Sequence, residues 1–498
     1  MRYRVDRSVR RSGPDGRALL GGAPLRLFRL TAAGARFFDR VVTARSLSPA
    51  PAEQALIDRW VGAGVLHPEP DPGAGPITLR DVTVVVPVRD RPEGLARVLD
   101  SIAAARDRPA AVIVVDDGST DPQAVAEICE QADLADLAVE LLRRETSGGP
   151  AAARDEGAAR AHSPVIVFLD SDCVVDPDWS GALLAHLADP SVAAVAPRVR
   201  AAPAGGVGTA GASGASGGVG TAGAAEEQLR ASALLRYDMA RSPLDMGVEP
   251  GRVAPGSRIA YVPGAALAIR TTAFERLAGF DETLRVGEDV DLIWRAVENG
   301  LGIRYEPRSV VQHEVRAELR SWVRQRFDYG TSAAALEERH PGTVAPVVVS
   351  GWSLTVWGLI AAGHPFGGAA TAVATTARLR RVLPDVSTRD VLRLGLGGHL
   401  GAGGQLSRAV VRVWWPIAVP LALVSSRARR ILVVSVGWTV VEAWRSRTER
   451  APDAALDPFR FAALTLLDDV SYGAGAWAGC RHRGSWRALL PRISSGTT

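Results

Sequence analysis

Val165-Ile166-Val167-Phe168-Leu169-Asp170-Ser171-Asp172 is a run of five apolar residues that ends in two carboxylates. A short, continuous apolar run of this kind reads as a strand buried on both faces. Two others resemble it. Val82-Thr83-Val84-Val85-Val86 leads into Pro87-Val88-Arg89-Asp90-Arg91-Pro92, and Ala111-Val112-Ile113-Val114-Val115 leads into Asp116-Asp117-Gly118-Ser119-Thr120-Asp121. Helical stretches separate the three. The spacing therefore predicts parallel strands in an open α/β sheet reaching from about Asp81 to Gly330. Ligands of such sheets bind outside the carboxyl ends of the strands, so all three polar clusters are expected to face one crevice.

The residue types in that crevice suggest a chemistry. A carboxylate of the first two clusters, Asp90, Asp116 and Asp117 among them, can accept the imide N–H of a uracil ring, while Gly118 permits close backbone approach. Asp170 and Asp172, two residues apart, suit one hard divalent cation, Mn²⁺ or Mg²⁺, holding a diphosphate. Gly287-Glu288-Asp289-Val290-Asp291 opens a helix whose N-terminus directs a carboxylate into the crevice as general base on an acceptor hydroxyl. His313 follows Val310-Val311-Gln312 at the end of a short strand and is a third candidate metal ligand beside Asp172. Arg316, Arg324 and Arg326, with Trp322 and Tyr329, are candidates to bind the diphosphate or to pack a sugar.

Composition removes several alternatives. All 58 basic residues are arginine. A phosphate loop ending in lysine, a Schiff-base lysine and a kinase lysine are therefore impossible. A net charge of +4 over 498 residues is too mild to argue for nucleic acid, though it suits an anionic membrane surface. Three scattered cysteines make neither a disulfide framework nor a CxxC metal site. Met1 to Arg17 holds six arginines and no apolar core, so the start of the chain is expected in the cytoplasm.

Three domains are expected. In residues 1–76, Leu25 to Leu30 alternates like a half-buried strand, Thr31 caps a helix, Ala52 to Gly62 forms a second helix and Val65-Leu66 a short strand, a winged-helix pattern. Residues 77–330 hold the sheet, interrupted at 201–225 by a Gly/Ala-rich stretch in which GGVGTAGA occurs twice; that insertion is expected to be a flexible loop. Residues 331–498 are helical and carry eight of the twelve tryptophans. Val344 to Ala362 is free of charge and barely long enough to span a bilayer, whereas Val413 to Ser426 and Ile431 to Val441 are too short. Arg427, Arg429 and Arg430 lie between these last two. Apolar aromatic segments beside arginines suit interfacial or re-entrant helices, with a spanning helix or the buried helices of a soluble domain as alternatives.

Read in order, VVVPVRDRPEGL, VIVVDDGSTD, GGPAAARDEGA, VIVFLDSDC, PGAALAIRTTAFERLAGFDETL, GEDVDLIWRAVENGLGIRYEP and His313 resemble a family 2 glycosyltransferase of the GT-A fold. The resemblance implies a metal-dependent, inverting transfer with no covalent intermediate. Asp289 matches the catalytic base, with Glu288 beside it. The nucleotide-sugar half would contain Pro87, Arg89, Asp90, Asp116, Asp117, Arg154, Asp170 and Ser171. Asp170, Asp172 and His313 would hold the cation, and Gly264, Trp294, Arg324 and Arg326 the acceptor. Two departures stand out: Arg154-Asp155 replaces the usual Arg-Asn, and the processive QxxRW phrase is only approximated by Arg324-Gln325-Arg326-Phe327.

The N-terminal region resembles PqqD-like peptide-recognition domains, and the whole arrangement is similar to the glycosyltransferases of the mycofactocin system. That similarity implies UDP-glucose as donor, a redox-cofactor precursor derived from a ribosomal peptide as acceptor, and β linkages. A membrane-associated enzyme of envelope polysaccharide or glycolipid synthesis remains an alternative, as does a peptide-binding scaffold with residual nucleotide affinity.

Overall fold

The structure is a computed structural model and describes residues 1–13, 15–44, 47–73, 75–203, 233–316, 318–450 and 456–494. The chain divides into two compact units. The first comprises Met1–Arg4, Ala44–Leu319 and Glu449–Leu456; the second comprises Val5–Thr43, Arg320–Thr448 and Asp457–Thr498. Residues 1–76 are thus shared between the units, with the helix Ala32–Thr43 in the second and Pro51–Gly62 in the first. The Gly/Ala-rich insertion expected at 201–225 lies, from residue 204 onward, outside the described residues.

The first unit is built on a nine-stranded mixed sheet. Its order is Cys173–Val175, Gly302–Glu314, Val192–Ala202, Ala266–Arg270, Val165–Leu169, Val82–Val88, Ala111–Asp116, Val139–Arg143, with Gly251–Arg252 pairing beside Gly302–Glu314. The three strands expected from sequence are present and mutually parallel: Val84 lies opposite both Val112 and Val167. All five residues of Val165–Leu169 are buried, as an apolar run without alternation requires. Each such side chain contributes about 1.5–3 kcal/mol through water exclusion.

Two features differ from the expectation. Ala266–Arg270 enters antiparallel between Val165–Leu169 and Val192–Ala202, Leu169 standing opposite Ala266. The strand before His313 is long, Gly302–Glu314, and pairs antiparallel with Cys173–Val175, placing His313 opposite Cys173. These registers create the site. Parallel strands deliver Asp90, Asp117 and Asp170 to one sheet edge, the antiparallel strand brings Gly264 to the same edge, and the Cys173 pairing brings His313 beside Asp172.

In the second unit, the strands Arg10–Ser12, Ala18–Gly21 and Arg26–Arg29 form an antiparallel sheet. Thr31 caps the following helix, its Oγ1 accepting from Gly34 N–H at 3.1 Å. Ser12 Oγ donates to Asp390 Oδ2 at 2.6 Å, and Leu20 packs with Val386 and Val391, so this sheet rests on the helical segment after Leu383. Val344 to Ala362 is not one helix: a strand, Val348–Ser350, precedes the helix Gly351–Ala361. Among the described residues no single helix is long and apolar enough to cross a membrane, and one bent pair, Thr388–Arg412 with Trp415–Val424 at 87°, passes by length and composition together.

Candidate active site

Asp289 is positioned by backbone. It stands in the first turn of the helix Glu288–Glu298; its Oδ2 accepts from Gly264 N–H at 2.8 Å and its Oδ1 from Val290 N–H at 2.8 Å. A Cβ at residue 264 would lie 3.0 Å from Asp289 Cβ, so glycine permits this approach. Burial raises the Asp289 carboxyl, opposed by those two N–H bonds and by Arg154. Burial, and then the neighbouring Asp289, also push Glu288 up.

Arg154 ties the acidic groups together from the helix Pro150–Arg160. Only 4% exposed, it pairs with Glu288 at 2.9 Å and with Asp170 at 2.5 Å, its guanidinium 5.5 Å from the Phe280 ring centroid. One buried cation thus serves both a strand end and a helix N-terminus.

The Asp-Ser-Asp turn divides its labour. Asp170 is taken by Arg154, whereas Asp172 directs Oδ1 toward His313 Nε2 at 3.3 Å and Oδ2 toward Arg91 Nη1 at 2.6 Å. Ser171 is 7% exposed. The expected set of Asp170, Asp172 and His313 is therefore not assembled. Among the described residues no group of three His, Cys, Asp or Glu side chains is placed to hold a metal ion. The pair Asp172 and His313, a carboxylate and an imidazole with 18% and 15% exposure, fits a cation that takes its remaining ligands from phosphate and water.

Asp116 and Asp117 shape loops. Asp116, 1% exposed, accepts from Ser119 N–H at 2.8 Å and pairs with Arg143. Asp117 accepts from Ser147 Oγ at 2.6 Å, Gly148 N–H at 2.9 Å and Gly149 N–H at 2.8 Å, with Arg144 at 2.9 Å. Its carboxylate closes the 147–149 loop across the second strand, and Gly118, with φ +74, lets Ser147 N come within 3.1 Å of where a Cβ would stand. Both carboxylates are thus spent on loop geometry in this structure, and the expected uracil contact is not offered by an idle oxygen of either. Asp90 Oδ1 accepts from Thr120 N–H at 2.8 Å, tying the first strand end to the second, and Arg89 Nη1 donates to Ser147 Oγ at 2.8 Å beside Pro87 on the first strand.

Residues 83–233 match Glycosyl transferase family 2, and residues 235–426 match Glycosyl transferase family group 2. A pre-mycofactocin glycosyltransferase of Mycobacterium tuberculosis is 38% identical over 499 residues, covering 98% of this chain and 97% of that protein. The chain belongs to glycosyl transferase family 2. The succinoglycan biosynthesis protein ExoU of Rhizobium meliloti is 30% identical over 220 residues, 44% of this chain and 58% of that one. The mannosyltransferase PcManGT of Pyrobaculum calidifontis, solved with GDP-Man and Mn²⁺, aligns with 79% of this chain and 92% of its own at 20% identity and a TM-score of 0.39, too loose a likeness to carry an argument. Family membership makes the chain an enzyme, a hexosyltransferase.

The candidate acceptor residues of this transferase are divided between the two units, Gly264 and Trp294 lying in the first. Trp294 is 5% exposed and donates its indole N–H to Ala260 O at 2.8 Å, so it supports the loop before Gly264 rather than presenting a stacking face. Arg324 and Arg326 belong to the second unit. Arg326 is 3% exposed, pairs with Asp468 at 3.4 Å and stacks 4.7 Å from the Trp322 centroid; Arg324 is exposed, 3.9 Å from Asp328. Arg326 is thus packed as a core cation. Arg91, Arg143, Arg144 and Ser147 escaped the sequence reading. Arginine is the commonest charged residue here, and only the loop geometry singles these out.

Asp155 explains how the transferase dispenses with the usual Asn. Its Oδ1 accepts from Phe280 N–H at 3.0 Å, a bond that needs an acceptor, which Asp and Asn share. Burial is the largest influence and holds its carboxyl up at about 6. The raised value means the ionised form is the strained one: the penalty is absent below the ordinary carboxylate range near 3.8 and complete above about 6. Asp155→Asn is therefore expected to raise the melting temperature at pH 8 and to leave it unchanged at pH 4 by calorimetry. An equal shift at both would remove the carboxylate as the cause.

Proposed function

We propose that this transferase carries glucose from UDP-glucose to a redox-cofactor precursor derived from a ribosomal peptide, inverting the anomeric centre and building β linkages. The whole-length similarity to a pre-mycofactocin glycosyltransferase supports the acceptor class. UDP-glucose rests on the family resemblance.

Asp289 removes the proton of the acceptor hydroxyl, with Gly264 and Val290 N–H fixing its two oxygens. The hydroxyl oxygen then attacks the anomeric carbon as the bond to the nucleoside diphosphate breaks, so one C–O bond forms for one lost and no sugar is attached to the protein. Asp172 and His313 would hold a divalent cation, Mn²⁺ or Mg²⁺, which when bound supplies positive charge to the departing diphosphate. Arg154 compensates Glu288 and Asp170 and, by opposing the effect of burial, favours the ionised form of Asp289 that a base needs. Labelled UDP-glucose supplied with the peptide-derived precursor tests the acceptor. Label in the water-soluble precursor supports the proposal, and label confined to lipid or polymer replaces it with envelope synthesis.

We further propose that the second unit rests on the inner face of the cell membrane. Residues 343–441 contain ten arginines against two aspartates, Asp385 and Asp390, a formal charge of +8 where the whole chain has +4. The same stretch exposes Phe366 at 89%, Val424 at 84% and Leu423 at 77%, the last two just before Arg427, Arg429 and Arg430. Apolar side chains beside arginines match an anionic headgroup layer. The full chain is expected to co-sediment with vesicles containing anionic lipid and to be released by high salt. Binding equal to that of neutral vesicles would contradict the electrostatic part.

A further inference from the structure

The crevice carboxylates differ in how firmly their cations are held. Arg154, on Asp170 and Glu288, is 4% exposed, and Arg144, on Asp117, is 23% exposed. Arg91, on Asp172, is 40% exposed, although its partner is only 18% exposed. Its backbone precedes the helix Pro92–Ala103, whose first turn is pressed against the Asp-Ser-Asp turn: a Cβ on Gly94 would meet Ser171 O at 2.6 Å. The backbone is therefore held in place, while the guanidinium reaches solvent.

Arg91 also occupies a contested position. It binds one oxygen of the carboxylate whose other oxygen faces His313, so a divalent cation at Asp172 and His313 would stand beside a guanidinium within the range of strong like-charge repulsion. A diphosphate removes the conflict. It offers oxygens to both cations, and the guanidinium fork fits phosphate as well as carboxylate.

We propose that Arg91 is a built-in counter-cation that masks Asp172 until the donor arrives, then transfers to the diphosphate, so that metal and nucleotide bind cooperatively. This rests on Asp172 and His313 as the cation-holding pair. Linkage makes the effect reciprocal: whatever factor UDP adds to metal affinity, the metal adds to UDP affinity.

The test is a Mn²⁺ titration of the full chain by electron paramagnetic resonance, with and without UDP, for wild type, Arg91→Gln and Arg97→Gln. Arg97 is the control: it lies six residues further on, within the helix Pro92–Ala103, paired with Glu314 at 2.7 Å and not with Asp172. UDP is expected to tighten wild-type Mn²⁺ binding roughly tenfold. Arg91→Gln should bind Mn²⁺ roughly tenfold tighter than wild type without UDP and gain little from its addition, while Arg97→Gln behaves as wild type. Arg91→Gln binding Mn²⁺ no tighter than wild type, or Arg97→Gln matching its effect, would overturn the masking role. Wild type failing to bind Mn²⁺ even with UDP would instead overturn the cation-holding pair itself.

Discussion

Asp289→Asn is expected to lower turnover by roughly 10²–10⁴-fold, the range general-base catalysis supplies, while UDP affinity by calorimetry stays close to wild type. The reason is local. Asn keeps an oxygen for Gly264 N–H but has no basic lone pair to take the acceptor proton, and its NH₂ must face either Gly264 or Val290, both donors. In the wild type, burial raises the Asp289 carboxyl, so turnover should fall as pH drops through that raised value, because protonation there removes the base. The Asn variant should show a residual rate without this acid limb. A variant with undiminished turnover would remove Asp289 from the chemistry.

Arg154→Met should have the largest effect on stability. The substitution keeps much of the side-chain volume but leaves Asp170 and Glu288 without the cation that pairs with both. Stranding a buried charge in this way costs about 3–5 kcal/mol. At about 2–4 °C per kcal/mol for a domain of this size, the melting temperature of the first unit should drop by about 10 °C. Adding Glu288→Gln should recover part of the loss, since it removes one of the two stranded carboxylates. A single variant as stable as wild type would mean that the carboxylates find other partners, and the account of the acidic cluster would fail with it.

The two variants also mark how far the sequence could be read. The parallel half of the sheet was legible because Val82–Val88, Ala111–Asp116 and Val165–Leu169 carry their burial as unbroken apolar runs. Ala266–Arg270 was not, because Ala-Leu-Ala-Ile-Arg, though as long as Val165–Leu169, lacks the β-branched density that marks a buried strand. Asp289, Asp172 and His313 could be named from their places at element ends. What those side chains touch could not, since a contact such as Arg91 to Asp172 spans 81 residues and depends on register. For the same reason Asp116 and Asp117 read as ligand-facing, yet fold back onto Arg143, Arg144 and the 147–149 loop. Trp294 and Arg326 mislead differently: aromatic and cationic types suit sugar binding, but only burial distinguishes a platform from a packed core.

Mass spectrometry of the peptide-derived precursor after incubation with the full chain, Mn²⁺ and UDP-glucose tests the central claim most directly. Successive hexose increments are expected with wild type, and with Asp289→Asn a rate of increment lower by roughly 10²-fold or more. Increments at the wild-type rate in the variant, or a precursor left unchanged by a wild type that binds UDP, would contradict Asp289-dependent transfer to this acceptor.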